Sequence, residues 1–295
     1  MQIQKSFSSI NIGGTLYLVA TPIGNLEDMT FRAVRVLKEV DWIAAEDTRQ
    51  TRKLLTHYEI PTRLVSYHEH NKRASGPELI RHLLEGNSIA LVSDAGMPAI
   101  SDPGYDLVQL AIAENIPVVP IPGANAALSA LIVSGLPTDR FLFAGFLPRE
   151  KKELRAELER LQYTEATLLF YESPHRVTKT LEAMLESWGD RPVALVREIS
   201  KRYEEVVRGT GSACLQHLRE HEPVGEYVIA VGGSAGTEAE LAERAGTSWW
   251  QALSVEEHVR HYIGQGAERK EAMKRAAADR GVSKRDIYNE LLERD

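Results

Sequence analysis

Residues Ile89 to Gly104 read IALVSDAGMPAISDPG. The first four, Ile89-Ala90-Leu91-Val92, form an unbroken apolar run of the kind that fills a parallel strand covered on both faces. The remainder has the opposite character. Ser93, Asp94 and Asp102 bring polar oxygens, glycines stand at 96 and 104, and prolines at 98 and 103. A strand that empties into such a loop delivers it to the carboxyl edge of a sheet, where open α/β folds bind ligands. Glycine lets a ligand approach the backbone closely, and proline fixes the loop shape in advance. The same residues could form a plain rigid turn between strand and helix. The crowding of polar, Gly and Pro residues behind a wholly apolar strand favours a binding loop.

Upstream, apolar runs alternate with helical patterns joined by short links. Thr15–Ala20, Trp42–Ala45 and Leu64–Tyr67 read as strands. Helices are expected from Thr30 (or Asp28) through Val40, after Glu46-Asp47-Thr48-Arg49 as far as His57, and around Glu78 to Leu84. Pro117–Pro122 reads as a further strand. This alternation predicts a parallel sheet with helices on both faces. After the first strand, Thr21-Pro22-Ile23-Gly24-Asn25-Leu26 contains neither G-x-G-x-x-G nor G-x-x-x-x-G-K-[ST]. Those loops cradle phosphates at a helix N-terminus, so the ligand is not expected to be held by a pyrophosphate.

Beyond Pro122 the texture changes. Gly123–Leu131 is a helix of small residues that lets a ligand lie against it. Strands are expected at Phe141–Phe146, Ala166–Tyr171, Pro192–Arg197, Glu204–Gly209 and Glu226–Val231, with helices at Lys151–Leu161 and 177–187. Strands now outnumber helices, which predicts a second, mixed-sheet domain. Ser234–Glu240 looks like a linker, and about fifty residues of helical pattern follow. The expected organisation is an α/β protein with an N-terminal parallel-sheet domain at 13–122, a mixed-sheet domain at 123–234, and a small helical appendage at 246–295.

Composition narrows the function classes. Of 295 residues, 43% are apolar and 26% charged, enough for real cores. No apolar run approaches the roughly 18 residues that span a bilayer, and the N-terminus lacks the apolar core of a secretory signal. The one cysteine, Cys214, excludes an internal disulfide and a cysteine-rich zinc site. The expected address is the cytoplasm. A net charge of −7 speaks against a globally basic nucleic-acid binder, but it is an average. From Arg269 to Arg285 the chain carries seven basic residues against two acidic ones, a net of +5. There, Ala267, Ala272, Met273, Ala276 and Ala277 make one small apolar face, Gly281 ends the helix, and Ser283 can cap another through Ile287, Tyr288 and Leu291. Helix, glycine turn and helix with basic residues, Lys270, Lys274, Arg275, Lys284 and Arg285 among them, fit a small nucleic-acid-binding unit. A charged packing or dimerisation hairpin would look similar.

Four motifs occur in order: Ala20–Leu26, Glu46-Asp47-Thr48-Arg49, Ser93-Asp94-Ala95-Gly96 with Ser101-Asp102-Pro103-Gly104, and Phe170-Tyr171-Glu172-Ser173-Pro174-His175-Arg176. Together they resemble the ribosomal-RNA-methylating branch of the tetrapyrrole methylase superfamily. The resemblance runs from about Gly13 to Gly233, and the tail resembles that branch's C-terminal helix-turn-helix. It implies S-adenosyl-L-methionine-dependent 2′-O-methylation of a cytidine ribose in the decoding region of 16S rRNA, within the small ribosomal subunit. It also implies a homodimer with the cofactor between the two sheet domains.

On that basis the expected cofactor-binding residues are Pro22, Ser93, Asp94, Ala95, Gly96, Ile100, Asp102, Ala124, Asn125, Ala126 and Ala127, largely through backbone atoms. Asp47, Arg49, Glu172 and Arg176 follow strands of the two domains and are the expected catalytic group. Each has a plainer reading as a helix cap or ion pair. His68, Glu69 and His70 lack a fourth metal ligand, and no metal is expected. Glu198, Lys201 and Arg202 read as surface charge or RNA contacts. Two other readings stay open at this point: a methylase of the same fold acting on a corrin or porphyrin precursor, and an RNA-binding protein without catalysis.

Overall fold

The computed structural model describes residues 3–4, 14–234, 250 and 253–292. The chain forms two compact units, Met1–Ser234 and Ala235–Asp295. The linker expected at 234–240 lies, beyond Ser234, outside the described residues.

The larger unit begins with β1 (Leu16–Val19), α1 (Phe31–Glu39), β2 (Trp42–Ala45), α2 (Thr48–His57), β3 (Arg63–Ser66), α3 (Lys72–Leu84), β4 (Ile89–Val92), α4 (Tyr105–Ala113) and β5 (Val118–Ile121). The five strands form one sheet in the order β3-β2-β4-β1-β5, every pairing parallel. β4 is buried at all four positions. Period-two alternation explains why: Ala90 and Val92 join a core with Val36 and Leu37 of α1 and Leu55 of α2, while Ile89 and Leu91 join one with Leu79 and Leu83 of α3 and Leu107 of α4. The connections leaving β1 and β4, which are neighbours, therefore depart over opposite faces. Between them lies the topological switch point at which such sheets bind ligands.

α3 starts at Lys72, a turn and a half before the expected Glu78, and carries Pro77 inside it. Proline forfeits one helical hydrogen bond. The apolar face of Leu79, Ile80 and Leu83, and the packing of Gly76 beneath Leu110 and Tyr67, outweigh that loss.

The chain then lays down α5 (Ala126–Ser134), β6 (Phe141–Phe146), α6 (Lys151–Leu161), β7 (Thr167–Glu172), α7 (Val177–Trp188), β8 (Pro192–Arg197), β9 (Glu205–Thr210), α8 (Gly211–Glu220) and β10 (Tyr227–Val231). The second sheet runs β6-β7-β10-β8-β9, with β6 parallel to β7 and the other pairs antiparallel. One face packs Phe170, Leu195 and Ile229 against α6, α7 and α8. On the other face Ala194 and Ala230 meet Ala127 and Leu131 of α5, small against small, so that helix lies close to the sheet. α8 escapes a periodicity reading because Gly209-Thr210-Gly211-Ser212 looks like a turn. Thr210 caps it by accepting from Ala213 N–H at 3.3 Å, and Asp190 accepts from Ser212 N–H at 2.8 Å.

The smaller unit contains α9 (Val255–Gly264), α10 (Arg269–Arg280) and α11 (Lys284–Leu292). Val255, Val259, Ala272, Met273, Ala276, Ala277 and Ile287 form its own core. Gly281 ends α10 at φ +65°, and Asp286 N–H donates to Ser283 Oγ at the start of α11. Buried His258 stands at its polar hub. Its Nε2 lies 3.0 Å from Asp279 Oδ2, its Nδ1 accepts from Arg280 Nε at 3.1 Å, and Arg280 also donates to the Leu253 carbonyl. Arg280 thus holds the unit together, while Lys270, Lys274, Arg275 and Arg285 are exposed and Lys284 is half-buried.

Candidate active site

The loops after β1 and β4 are stitched together at the switch point. Thr21 N–H donates to the Gly96 carbonyl at 2.8 Å, and Gly96 N–H returns to the Thr21 carbonyl at 3.1 Å. The buried Thr21 hydroxyl donates to the Ser93 carbonyl at 3.2 Å. Gly96 holds φ +79°, a conformation that glycine adopts without penalty. The same loop carries Ala99 and Ser101 at φ +68° and +60°, so it is held in shape against local preference.

Beneath these loops opens a cavity of about 560 Å³, in the size range of small-molecule sites. The first sheet supplies Glu46, Asp94 and Asp102 with apolar Ile23, Met97 and Ile100; the second supplies Tyr171 and Glu172, and α5 supplies Asn125 and Ala126. Glu198, Lys201 and Glu226 complete the wall. Six carboxylates therefore face one ammonium, and the field inside is negative. Burial pushes the Asp102 carboxyl up to about 6, with the Asp94 charge adding to it and a hydrogen bond from Ser93 opposing. Glu46 is raised by burial first and then by Asp102, Asp94 and Asp47. A carboxylate-rich, partly apolar cavity without a phosphate cradle suits a cationic organic molecule.

Of the residues expected at the cofactor, Asp94, Ala95, Gly96, Ile100, Asp102, Asn125 and Ala126 line this cavity. Pro22, Ser93 and Ala127 are buried behind it, and Ala124 is half-buried, its carbonyl 3.7 Å from where a Gly96 Cβ would stand. Asn125 also caps α5, its Oδ1 accepting from Leu128 N–H at 2.8 Å.

Among the four expected catalytic residues only Glu172 reaches the cavity wall. Glu172 is 3% exposed and accepts from Thr180 Oγ1 at 2.7 Å and from Ser173 N–H at 2.9 Å. Arg176 lies 3.5 Å from Glu172 and donates to the Leu147 and Pro148 carbonyls, fixing the turn after β6. Asp47 caps α2 and forms a two-pronged pair with Arg49, at 3.1 and 2.8 Å, which holds its carboxyl near 2. Asp47 N–H in turn donates to Asp94 Oδ1 at 3.1 Å. His68 Nδ1 accepts from Asn71 N–H at 3.2 Å, and Glu69 pairs with Lys72, so both serve the start of α3.

Lys201 and Glu198 are not the surface charges their setting suggests in sequence. Both line the cavity. The available signal is positional: Glu198-Ile199-Ser200-Lys201 directly follows β8, as Glu46 and Asp94 follow β2 and β4. Tyr171 is visible in sequence only as an inward position of a strand; its ring lies edge-on to Phe143 and Phe146, at 4.8 and 5.6 Å.

Comparison with known proteins agrees with this architecture. Residues 15–214 match the family described as Tetrapyrrole (Corrin/Porphyrin) Methylases. Among solved structures, a diphthine synthase superposes with a TM-score of 0.58 at 14% identity, covering 80% of this chain and 99% of that one. A uroporphyrin-III C-methyltransferase from Thermus thermophilus gives 0.53 at 24%, covering 74% and 94%. Both likenesses concern the fold. The ribosomal RNA small subunit methyltransferase I of Halalkalibacterium halodurans is 59% identical over 98% of both chains, and that of Bacillus subtilis is 54% identical over 97% of both. By its fold, its matched residues and its identity to these relatives along nearly its whole length, the chain belongs to the tetrapyrrole methylase family and, within it, to the ribosomal RNA small subunit methyltransferase I group.

Proposed function

We propose that the protein is an S-adenosyl-L-methionine-dependent methyltransferase that modifies the 2′-hydroxyl of a cytidine in the decoding region of 16S rRNA, in the small ribosomal subunit. One observation carries the cofactor reading: the switch-point cavity is lined by carboxylates and apolar side chains and lacks a phosphate cradle. S-adenosylmethionine fits it: a sulfonium and a zwitterionic amino-acid end give it one net positive charge, and it carries an adenine and a ribose but no phosphate. The loop from Ser93 to Ile100 and the segment Ala124–Ala127 would hold it. When bound, it would supply a methyl group on a cationic sulfur for transfer to the acceptor oxygen, the carbon–sulfur electron pair would stay on sulfur, and the acceptor's proton would need a base.

The chain's own contribution is orientation and proton handling. Asp102, with its carboxyl raised to about 6, lies on the cavity wall as an acceptor for that proton. The sheet domains at 13–122 and 123–234 do the chemistry, and the appendage at 246–295 brings RNA through its exposed cations. A ribosomal substrate places the reaction in the cytoplasm. We also read the working form as a homodimer, because Ile132 on α5 and Phe141 on the edge strand β6 are apolar and exposed.

The test is methylation of small subunits that lack the modification, with mass mapping of the product. A single 2′-O-methylcytidine in the decoding region is expected. Methylation of a corrin or porphyrin precursor instead, or no transfer with RNA binding intact, would replace this reading with one of the two alternatives.

A further inference from the structure

Lys201 is the one cation that lines the cavity among the described residues, and the chain around it is built against local preference. Glu198 and Ser200 sit at φ +49° and +68°. Non-glycine residues rarely adopt such angles, and where they do the conformation tends to serve a site. Six non-glycine residues have positive φ among the described ones. Four of them, Ala99, Ser101, Glu198 and Ser200, belong to the two loops that border this cavity. The other two, Glu59 and Asn115, follow the ends of α2 and α4, where a left-handed residue is an ordinary helix stop.

Two glycines make room for the loop's side chains. A Cβ on Gly24 would fall 2.3 Å from Lys201 Cγ, and one on Gly225 would fall 2.4 Å from Glu198 Cγ. Ser200 ties the loop at both ends: its hydroxyl hydrogen-bonds Asp28, and its N–H donates to Glu204 Oε2 at 2.7 Å. The Lys201 ammonium donates to Glu198 Oε1 and to Glu226 Oε2, each at 2.8 Å. An ammonium has three N–H donors. Two are taken by these carboxylates, which leaves one for a ligand on a side chain that lines the cavity.

Charge decides what that ligand is. Lys201, Glu198 and Glu226 together carry −1, so a phosphodiester oxygen brought to the remaining donor would face two carboxylates. A neutral hydroxyl escapes that repulsion. Resting on the function proposed above, we infer that Lys201 is a catalytic residue: its remaining N–H binds the acceptor oxygen, holds it in place and stabilises the negative charge that develops on it as its proton leaves. Against the pull of burial, its hydrogen bonds to Glu198 and Glu226 hold the ammonium above the ordinary lysine range. It acts as a donor and not as a base, and the hydroxyl proton passes to a carboxylate of the same cavity, Asp102.

The test compares Lys201→Ala with the wild type in three measurements: S-adenosylhomocysteine affinity by calorimetry, melting temperature, and steady-state methylation of unmodified small subunits. Loss of one preorganised donor predicts a fall in kcat of about 100-fold. KM for the subunit and S-adenosylhomocysteine affinity should stay within about threefold, because the interaction is made to the reacting oxygen. Methylammonium added to Lys201→Ala should restore part of the rate, and tetramethylammonium, which has no N–H donor, should not. Wild-type kcat in the variant overturns the inference. So does a loss carried by subunit KM with a shallower salt dependence, which would make Lys201 a phosphate contact. Equal rescue by both amines, or lost S-adenosylhomocysteine affinity with a lower melting temperature, would make it structural. Failure of the wild type to methylate subunits would overturn the functional reading itself, and the two failures are thereby distinguished.

Discussion

The cavity and the C-terminal helices are opposite in charge. Six carboxylates and one ammonium line the first; the second carries the +5 stretch from Arg269 to Arg285. A polyanionic RNA would be repelled by the cavity that is to modify it, and a cationic cofactor would gain nothing from the tail. On the proposed function, recognition and chemistry are separated in the chain: the acidic cavity suits a small cation, and the basic helices suit phosphates. Variants on either side of that division should move one property and leave the other in place.

The largest effect is expected at Gly96. A β-branched residue at φ +79° is strained by about 1–3 kcal/mol, and relief would pull apart the paired hydrogen bonds to Thr21 that join the two loops beside the cavity. Steric contact with the protein is not the cause, since a Cβ there would stand an ordinary 3.4 Å from Ile23. Gly96→Val should abolish measurable S-adenosylhomocysteine binding by calorimetry and leave binding to the small subunit intact. Normal cofactor affinity in that variant would show that the loop does not shape the site.

Next comes the tail. Deleting the chain from Thr247 onward, or reversing charge with Lys274→Glu and Arg275→Glu, should weaken subunit binding about tenfold or more. The slope of log affinity against log salt should become shallower by nearly one for each phosphate that is no longer neutralised. Cofactor affinity should not move. The charge-reversal variant keeps the buried face of Ala272, Met273 and Ala276, so its helices remain. Unchanged affinity at the same slope would leave α9, α10 and α11 as packing or dimer structure.

Much of this separation was legible in the residues alone. Fully apolar strands ending in polar, Gly- and Pro-rich loops located the carboxyl edge, and the basic run after Arg269 stood out within an acidic chain. The fold class, a parallel sheet followed by a mixed one and a helical appendage, is the one observed. What stayed hidden depends on contacts distant in sequence. Lys201 looks like surface charge until β10 brings Glu226 beside it and Gly24 is seen to vacate its space. That Arg176 reaches back to the carbonyls of Leu147 and Pro148 is likewise invisible until the chain has folded. Helix α8 hid behind glycines that read as a turn. Periodicity reports which face is apolar; it does not report what a charged side chain meets after the chain has turned back.

A smaller effect concerns pH. Asp102 has a folded-state pKa near 6, above its ordinary carboxylate value. The folded protein therefore binds this proton more tightly than the unfolded chain does. The stability that protonation contributes is present at low pH and lost as pH rises through about 6. Asp102→Asn removes that loss, so its melting temperature relative to wild type should climb between pH 4 and 6 and stay level above. Turnover should show the inverse pattern: in the wild type kcat/KM rises through about pH 6 as the carboxylate becomes available, and the variant loses this limb along with most of its activity. A variant that keeps the rising limb would assign it to another group, with Glu46 the next to examine, since burial and its acidic neighbours raise it too.

The smallest effect is expected at Arg49, and it tests how far the acidic cavity reaches. Its side chain is 86% exposed, paired with Asp47 and outside the cavity lining. An exposed pair of this kind contributes little to stability, so Arg49→Ala should leave the melting temperature nearly unchanged. Cofactor affinity should also hold, because Asp47 keeps its place as the cap of α2 and keeps donating its N–H to Asp94. What changes is the field at the cavity mouth. Without the guanidinium, Asp47 adds an unpaired charge beside Glu46, Asp94 and Asp102, and an approaching RNA meets a more negative rim. Turnover on the subunit should therefore fall a few-fold at low salt, and the deficit should shrink as salt screens the rim. A deficit that persists at high salt would mean that Arg49 touches the substrate directly. No deficit at any salt would confine the negative field to the cavity itself, leaving the tail as the principal electrostatic contact with RNA.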